Sequence, residues 1–218
     1  MSTAANQSGA PAVISVNVGQ PRDVRWHGRT VTTAIWKDPV YGPVAVEGVN
    51  VHGDDQADRR VHGGPDKAVY VYAVEDYEWW STTRGPLGPG TFGDNLTTAG
   101  LDLEASSIGD RWRVGSAVLE VAQPRTPCFK LAIRMADDGF TEAFEEAGRL
   151  GVYLRIIMAG TVEAGDTIDI EPAGQPATRI GALVSGDLDN DALRRLADDS
   201  RVPDGWRRAA RRALRRAS

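Results

Sequence analysis

The chain has a single cysteine, Cys128, in 218 residues, and that scarcity excludes a disulfide framework. Lysine is nearly as scarce: Lys37, Lys67 and Lys130 are the only three, each beside a Gly/Pro-rich loop, and every other basic side chain of that length is arginine. His52 and His62 stand ten residues apart among scattered carboxylates, a spacing that matches no recognised metal-ligand pattern. No apolar run approaches the length of a bilayer span, and residues 1–11 (MSTAANQSGAP) contain neither a basic nor an apolar stretch. The expectation is a cytoplasmic chain, not bound to a membrane, with a loose tail over residues 1–11.

Apolar residues make up 41% of the chain and charged residues 25%, ordinary for a globular protein, and the length suits one substantial core with a small second domain. The net charge is −5, but residues 186–218 carry +3 and leave −8 for the rest. An acidic body gives no reason to expect nucleic acid along the whole surface. The charge step marks a boundary.

Short segments rich in Val, Ile, Tyr and Thr, broken by Gly and Pro, read as strands at 12–18 (AVISVNV), 30–36 (TVTTAIW), 44–46, 68–74 (AVYVYAV), 112–122, 151–158 (GVYLRIIM) and 167–171. Helices are expected at 75–81 (EDYEWWS) and 141–147 (TEAFEEA). Together they predict a mainly β, curled or barrel-like domain over residues 12–172. The run PAGQP at 172–176 reads as a linker to a small α-helical domain over 178–218. There Trp206, Ala209, Ala210, Ala213 and Leu214 form one apolar stripe, while Arg207, Arg208, Arg211, Arg212, Arg215 and Arg216 form the other face. That face reads either as solvated surface or as a docking site for an acidic protein or a nucleic-acid backbone.

Four segments could carry chemistry. In VHGDDQADRRVHGGPDKAV (51–69), a Gly63-Gly64-Pro65 turn followed by Lys67 could converge backbone N–H groups and a point charge on an anion, or could be a plain glycine turn with solvated charges. GTFGDNL (90–96) is a tight loop in which Asn95 offers both donor and acceptor. In QPRTPCFK (123–130), two prolines stiffen the backbone around Cys128 while Arg125 and Lys130 favour its thiolate. Judged alone, that cysteine is either a reagent or an inert small hydrophobe. Arg155, inside the apolar run GVYLRIIM, needs either a salt-bridge partner or a ligand.

Read together, KDPVYGPV (37–44), GDDQADRRVHGGPDKAVYVYA (53–73), GTFGDNL (90–96), IGDRWRVGSAVLEVAQPRTPCFKL (108–131) and GRLGVYLRII (148–157) closely resemble the YiiM-type branch of the MOSC family. These are stand-alone relatives of the C-terminal domain of molybdenum cofactor sulfurases, and the segments occur in the family's order. Residues 178–217 also resemble the small three-helix domain that ends this branch. One departure is visible: Asp94 stands where the family pattern has Glu, which puts in question only a role that depends on the position of that carboxylate.

The resemblance implies a MOSC-type β-barrel that binds the molybdenum cofactor, a pterin with a dithiolene and a phosphate. Cys128 would be the protein ligand to molybdenum and the catalytic cysteine. Lys67, Arg125 and Arg155 would balance the cofactor's negative charge, and His62, Gly63, Gly64 and Asn95 would hydrogen-bond along the pterin. It further implies reduction of N-hydroxylated compounds such as 6-hydroxylaminopurine, with electrons from an external flavin or iron–sulfur reductase, since one cysteine cannot hold an electron-transfer cluster. The competing readings are a non-catalytic carrier of the cofactor or of persulfide sulfur, and a scaffold acting through the basic tail helix. The sequence is compatible with a homodimer.

Overall fold

Alternation in the strand VYVYA divides the interior in two. A computed structural model of the chain describes residues 9–57 and 63–217, so the tail expected at 1–11 lies largely outside the described residues. The first half contains β1 (Ala12–Val18), β2 (Arg22–Trp26), β3 (Arg29–Thr33), β4 (Asp38–Val40), β5 (Val44–Glu47), β6 (Asn50–Val51), β7 (Val69–Ala73), helix α1 (Val74–Arg84) and β8 (Leu96–Ala99). The second half contains β9 (Arg111–Val114), β10 (Ala117–Pro124), α2 (Lys130–Met135), α3 (Phe140–Glu146), β11 (Val152–Met158), β12 (Gly160–Val162) and β13 (Ile168–Glu171). The chain then turns helical, in α4 (Ile180–Ser185), α5 (Asn190–Asp198) and α6 (Asp204–Ala217).

Eight strands form one sheet in the order β13-β9-β10-β11-β7-β8-β1-β4. All its pairs are antiparallel except β7 with β8, whose parallel register sets Val71 opposite Leu96. The expected barrel is therefore not closed. β1 gives one side to β8 and uses Val16–Val18 on the other for β4, so β13 meets only the part of β1 that β4 leaves open. That meeting is a single bridge, Ala12 with Thr167, flanked by Val13 N–H to Asp166 O at 2.9 Å and Ile168 N–H to Pro11 O at 2.7 Å. The segment read as one strand at 112–122 is a hairpin, β9 and β10, turning at Gly115 with φ 54°. Two smaller sheets, β12-β5-β6 and β2-β3, complete the strands among the described residues.

Every residue of β7 is buried. Val69, Val71 and Ala73 face an aliphatic core with Val13, Leu96, Trp112, Leu119 and Leu154. Tyr70 and Tyr72 face an aromatic core with Tyr77, Trp80, Phe92, Phe140 and Phe144, contributed by α1, α3 and the 90–95 loop. Burying each such aliphatic side chain is worth about 1.5–3 kcal/mol. In the aromatic core, ring pairs such as Tyr77 with Phe92 at 5.0 Å add directional contacts.

The helices beyond residue 178 do not stand apart from this core. Ile180 and Leu183 of α4, Leu196 and Ala197 of α5, and Ala210 of α6 belong to the same hydrophobic cluster as β7 and β9. The stretch read as a linker is also tied down. Ala173 N–H donates to Asp110 Oδ1 at 2.8 Å, and Arg201 donates to Ala173 O at 3.0 Å and to Pro176 O at 2.8 Å. No helix among the described residues is long and apolar enough to cross a membrane.

Candidate functional site

Cys128 lies in the bend between β10 and α2. Leu131 N–H donates to Cys128 O at 2.9 Å and Arg125 N–H donates to Gly151 O at 3.3 Å, so the PRTPC segment is fixed at both ends. The cysteine is half-buried on the wall of an open pocket. Lys37, Lys67 and Lys130, the chain's only lysines, all line that pocket, together with Arg125, Asp54, Asn95, Tyr70 and Tyr153. Four basic side chains thus share the pocket with one thiol, and one of them, Lys37, is offset there by Asp54.

Each cation is held by a different part of the fold. Lys67 ends the single 3₁₀ turn Pro65–Lys67, which Gly64 enters at φ 97°, a conformation that only glycine adopts freely. Lys37 follows β3, and its backbone is clasped by the 90–95 loop: a Cβ on Gly90, which sits at φ +76°, would lie 2.5 Å from Lys37 O. Arg125 is buried. Its guanidinium donates to Phe92 O and lies over the Tyr70 ring at 4.6 Å, a cation–π contact that keeps the charge in place away from bulk water.

The ammonium of Lys37 pairs with Asp54, whose other contacts are Gly19 N–H at 2.8 Å and the Asn95 amide at 2.9 Å. Burial pushes Lys37 below the ordinary lysine range, against the attraction of Asp54 and Asp94. Lys67 is lowered too, first by burial, with Cys128 and Asp66 pulling the other way. Burial raises Tyr153, so it faces the pocket as a neutral phenol.

Of the residues expected from sequence, Cys128, Lys67, Arg125 and Asn95 meet at the pocket. Asn95 is already committed to the protein, because its Oδ1 accepts from Tyr70 N–H at 3.1 Å while its amide bonds Asp54. Gly63 and Gly64 line an adjoining groove with Thr126, Gln123 and Trp206, and this groove shares Lys67 with the pocket. His62 lies outside the described residues. Arg155 is placed outside the pocket. Its nitrogens go to Asp66 at 2.5 Å, Glu120 at 3.0 Å and Arg201 O at 2.7 Å, a salt-bridge cluster that ties β11 to the C-terminal segment.

Asp94, the departure from the family pattern, is buried below the pocket and accepts from Tyr77, from Thr97 at 2.6 Å and from Gly90 N–H at 3.3 Å. It shapes the loop and does not reach the cavity. Sequence reasoning overlooked Asp54, Tyr70 and Tyr153 as pocket residues. Asp54 was one of several acids in its segment, and Tyr153 could have been found from alternation, since it shares a strand face with Arg155.

Comparison with known proteins follows the same features. The model of the MOSC domain matches residues 58–169. A protein of Bacillus subtilis, the uncharacterized protein YflK, is 36% identical over 90% of this chain and 91% of its own length. A protein of Gibberella moniliformis named Reductase is 35% identical over 66% of this chain, which spans only 26% of that protein. The crystal structure of YiiM from Geobacillus stearothermophilus superposes with a TM-score of 0.75 at 29% identity, over 94% of this chain and 99% of that one. The chain belongs to the MOSC domain family.

Proposed function

We propose that the Cys128 pocket binds a molybdenum cofactor, with the Cys128 thiolate as the protein's ligand to the metal, and that the protein reduces N-hydroxylated compounds. The observation that carries this reading is one thiol sharing a pocket wall with Arg125, Lys67 and Lys130, while the fourth basic side chain, Lys37, is offset by Asp54. Among the described residues no group of three His, Cys, Asp or Glu side chains converges on a metal position. One soft ligand suits a metal that arrives with most of its own ligands. The cations suit a group that also brings several negative charges, as a dithiolene and a phosphate do.

When bound, such a cofactor supplies two-electron chemistry. The chain's own residues bind, orient and balance charge. Arg125, fixed by Phe92 O and Tyr70, presents a permanent cation, Lys67 and Lys130 add two ammonium groups to the pocket wall, and Lys37 is held against Asp54. Gly63 and Gly64 place backbone groups on the adjoining groove, and Asn95 and Arg155 act by holding the walls in place. Tyr153 adds a neutral phenol to the cavity wall. The overall reaction, R–NHOH plus two electrons and two protons to R–NH2 and water, requires an external donor such as a flavin or iron–sulfur protein.

The reading is tested with cofactor-loaded protein, 6-hydroxylaminopurine and reduced methyl viologen. Production of adenine supports the reductase. A cofactor-replete sample that produces none contradicts it and leaves a carrier of the cofactor or of sulfur as the function.

A further inference from the structure

Helix α6 carries six arginines and one acid, Asp204, in a chain whose net charge is −5. The arginines form two rows along one side, Arg207, Arg211 and Arg215 beside Arg208, Arg212 and Arg216, each row at i, i+4 spacing. Like charges at that spacing oppose the helix. Ion pairs relieve them in the first turn, where Asp204 meets Arg207, and Arg208 at 3.8 Å, and Arg211 donates to Ala197 O at 2.9 Å. Arg212, Arg215 and Arg216 are exposed and have no ion-pair partner among the described residues.

Favourable interaction with the helix dipole accounts for cations in the last turn, Arg215 and Arg216, but falls off before Arg208, Arg211 and Arg212. The helix is also anchored beside the cysteine pocket. Its Trp206 donates to Gln123 Oε1 at 3.1 Å, Gln123 donates to Asp66 O at 3.0 Å, and Trp206 with Ala209 walls the groove that shares Lys67 with the pocket. A positive strip that starts at the site's flank, on an otherwise acidic body, gives the molecule a directional field that orients an oppositely charged partner.

We infer that the arginine face of α6 is the docking surface for an acidic electron-transfer protein, which delivers electrons to the group held at Cys128. The inference rests on the reductase reading. Each turnover oxidises two one-electron donors, or one two-electron donor, and consumes two protons as R–NHOH becomes R–NH2 and water. A nucleic-acid backbone is the other anionic surface such a helix could meet. The position of the helix beside the pocket favours the redox partner.

The test uses full-length holoprotein and an acidic plant-type [2Fe–2S] ferredoxin as the probe, with reduced methyl viologen as a small donor that needs no docking. The wild type is compared with Arg208→Glu/Arg212→Glu/Arg216→Glu and with the same three positions changed to Gln, thermal melts confirming folding. Expected are salt-sensitive ferredoxin binding by titration, at least a tenfold loss of ferredoxin-driven turnover in both variants, larger with Glu, and viologen-driven turnover within twofold of wild type. Ferredoxin that fails to bind wild type at low salt, or binds the Glu variant equally, overturns the docking surface. So does salt-sensitive binding of duplex DNA that the Glu variant loses while ferredoxin binding stays unchanged. Loss of viologen-driven turnover in wild type contradicts the reductase reading instead, and the binding titration then still decides the docking surface.

Discussion

Lys37 and Asp54 form an ion pair on the wall of the Cys128 pocket with side chains only 8% and 1% exposed. Because Asp54 also accepts from Gly19 N–H and from the Asn95 amide, one carboxylate joins the chain after β1, the 90–95 loop and the lysine on the pocket wall.

Asp54→Asn strands that ammonium in a site where burial already disfavours it. Removing one partner of a buried pair costs roughly 3–5 kcal/mol. In the variant, Lys37 is depressed further below its ordinary value of 10.5, so the folded state binds fewer protons than the unfolded one and stability rises with pH below that value. Urea unfolding is expected to show a deficit of about 3 kcal/mol at neutral pH that shrinks at about pH 9.5. A deficit independent of pH would show that Lys37 is not the stranded charge.

Glu104 lies in an acidic groove with Glu75, Asp76 and Asp102, where burial first, and then Asp76, push it from 4.5 up to about 7. A carboxyl raised on folding contributes stability that is fully present below its unfolded value and is lost as pH rises through the folded value. The wild type is therefore expected to lose stability between about pH 4.5 and 7 through this group, by about 1 kcal/mol after allowing for its partial exposure to solvent. Glu104→Gln removes that slope. Denaturant midpoints for the two proteins that stay parallel across the range would refute the assignment.

Arg155→Met tests whether that arginine holds structure or ligand. It leaves Glu120, 11% exposed, without its inner partner and releases Arg201 O. The expected result is a stability loss of roughly 2–4 kcal/mol, with molybdenum content per folded molecule unchanged. Unchanged stability with lost molybdenum would place Arg155 in the ligand set.

Much of this fold was legible where local pattern decides structure. AVISVNV gave the bounds of β1, and the arginine and apolar stripes gave α6. What escaped depends on partners far along the chain. β8 is four residues long and exists as a strand because β7 and β1 flank it on either side. The open edge between β1 and β13 follows from β4 competing for β1, which no periodicity reveals. The site divides in the same way. The cysteine, its flanking arginine and the lysine after the glycine turn stood out by residue type. Arg155 also stood out, as a charge in an apolar strand, and only its contacts with Asp66 and Glu120 show where that charge is spent.

Molybdenum and pterin content of freshly purified wild-type protein, measured beside Cys128→Ser, tests most directly whether the lone thiol holds the metal. Cys128 is half-buried and its side chain has no hydrogen-bond partner among the described residues, so the serine variant is expected to fold with stability within about 1 kcal/mol of wild type. The expected result is cofactor in the wild type and at least a tenfold lower molybdenum content in the variant. Equal molybdenum and pterin in both proteins would contradict ligation by Cys128.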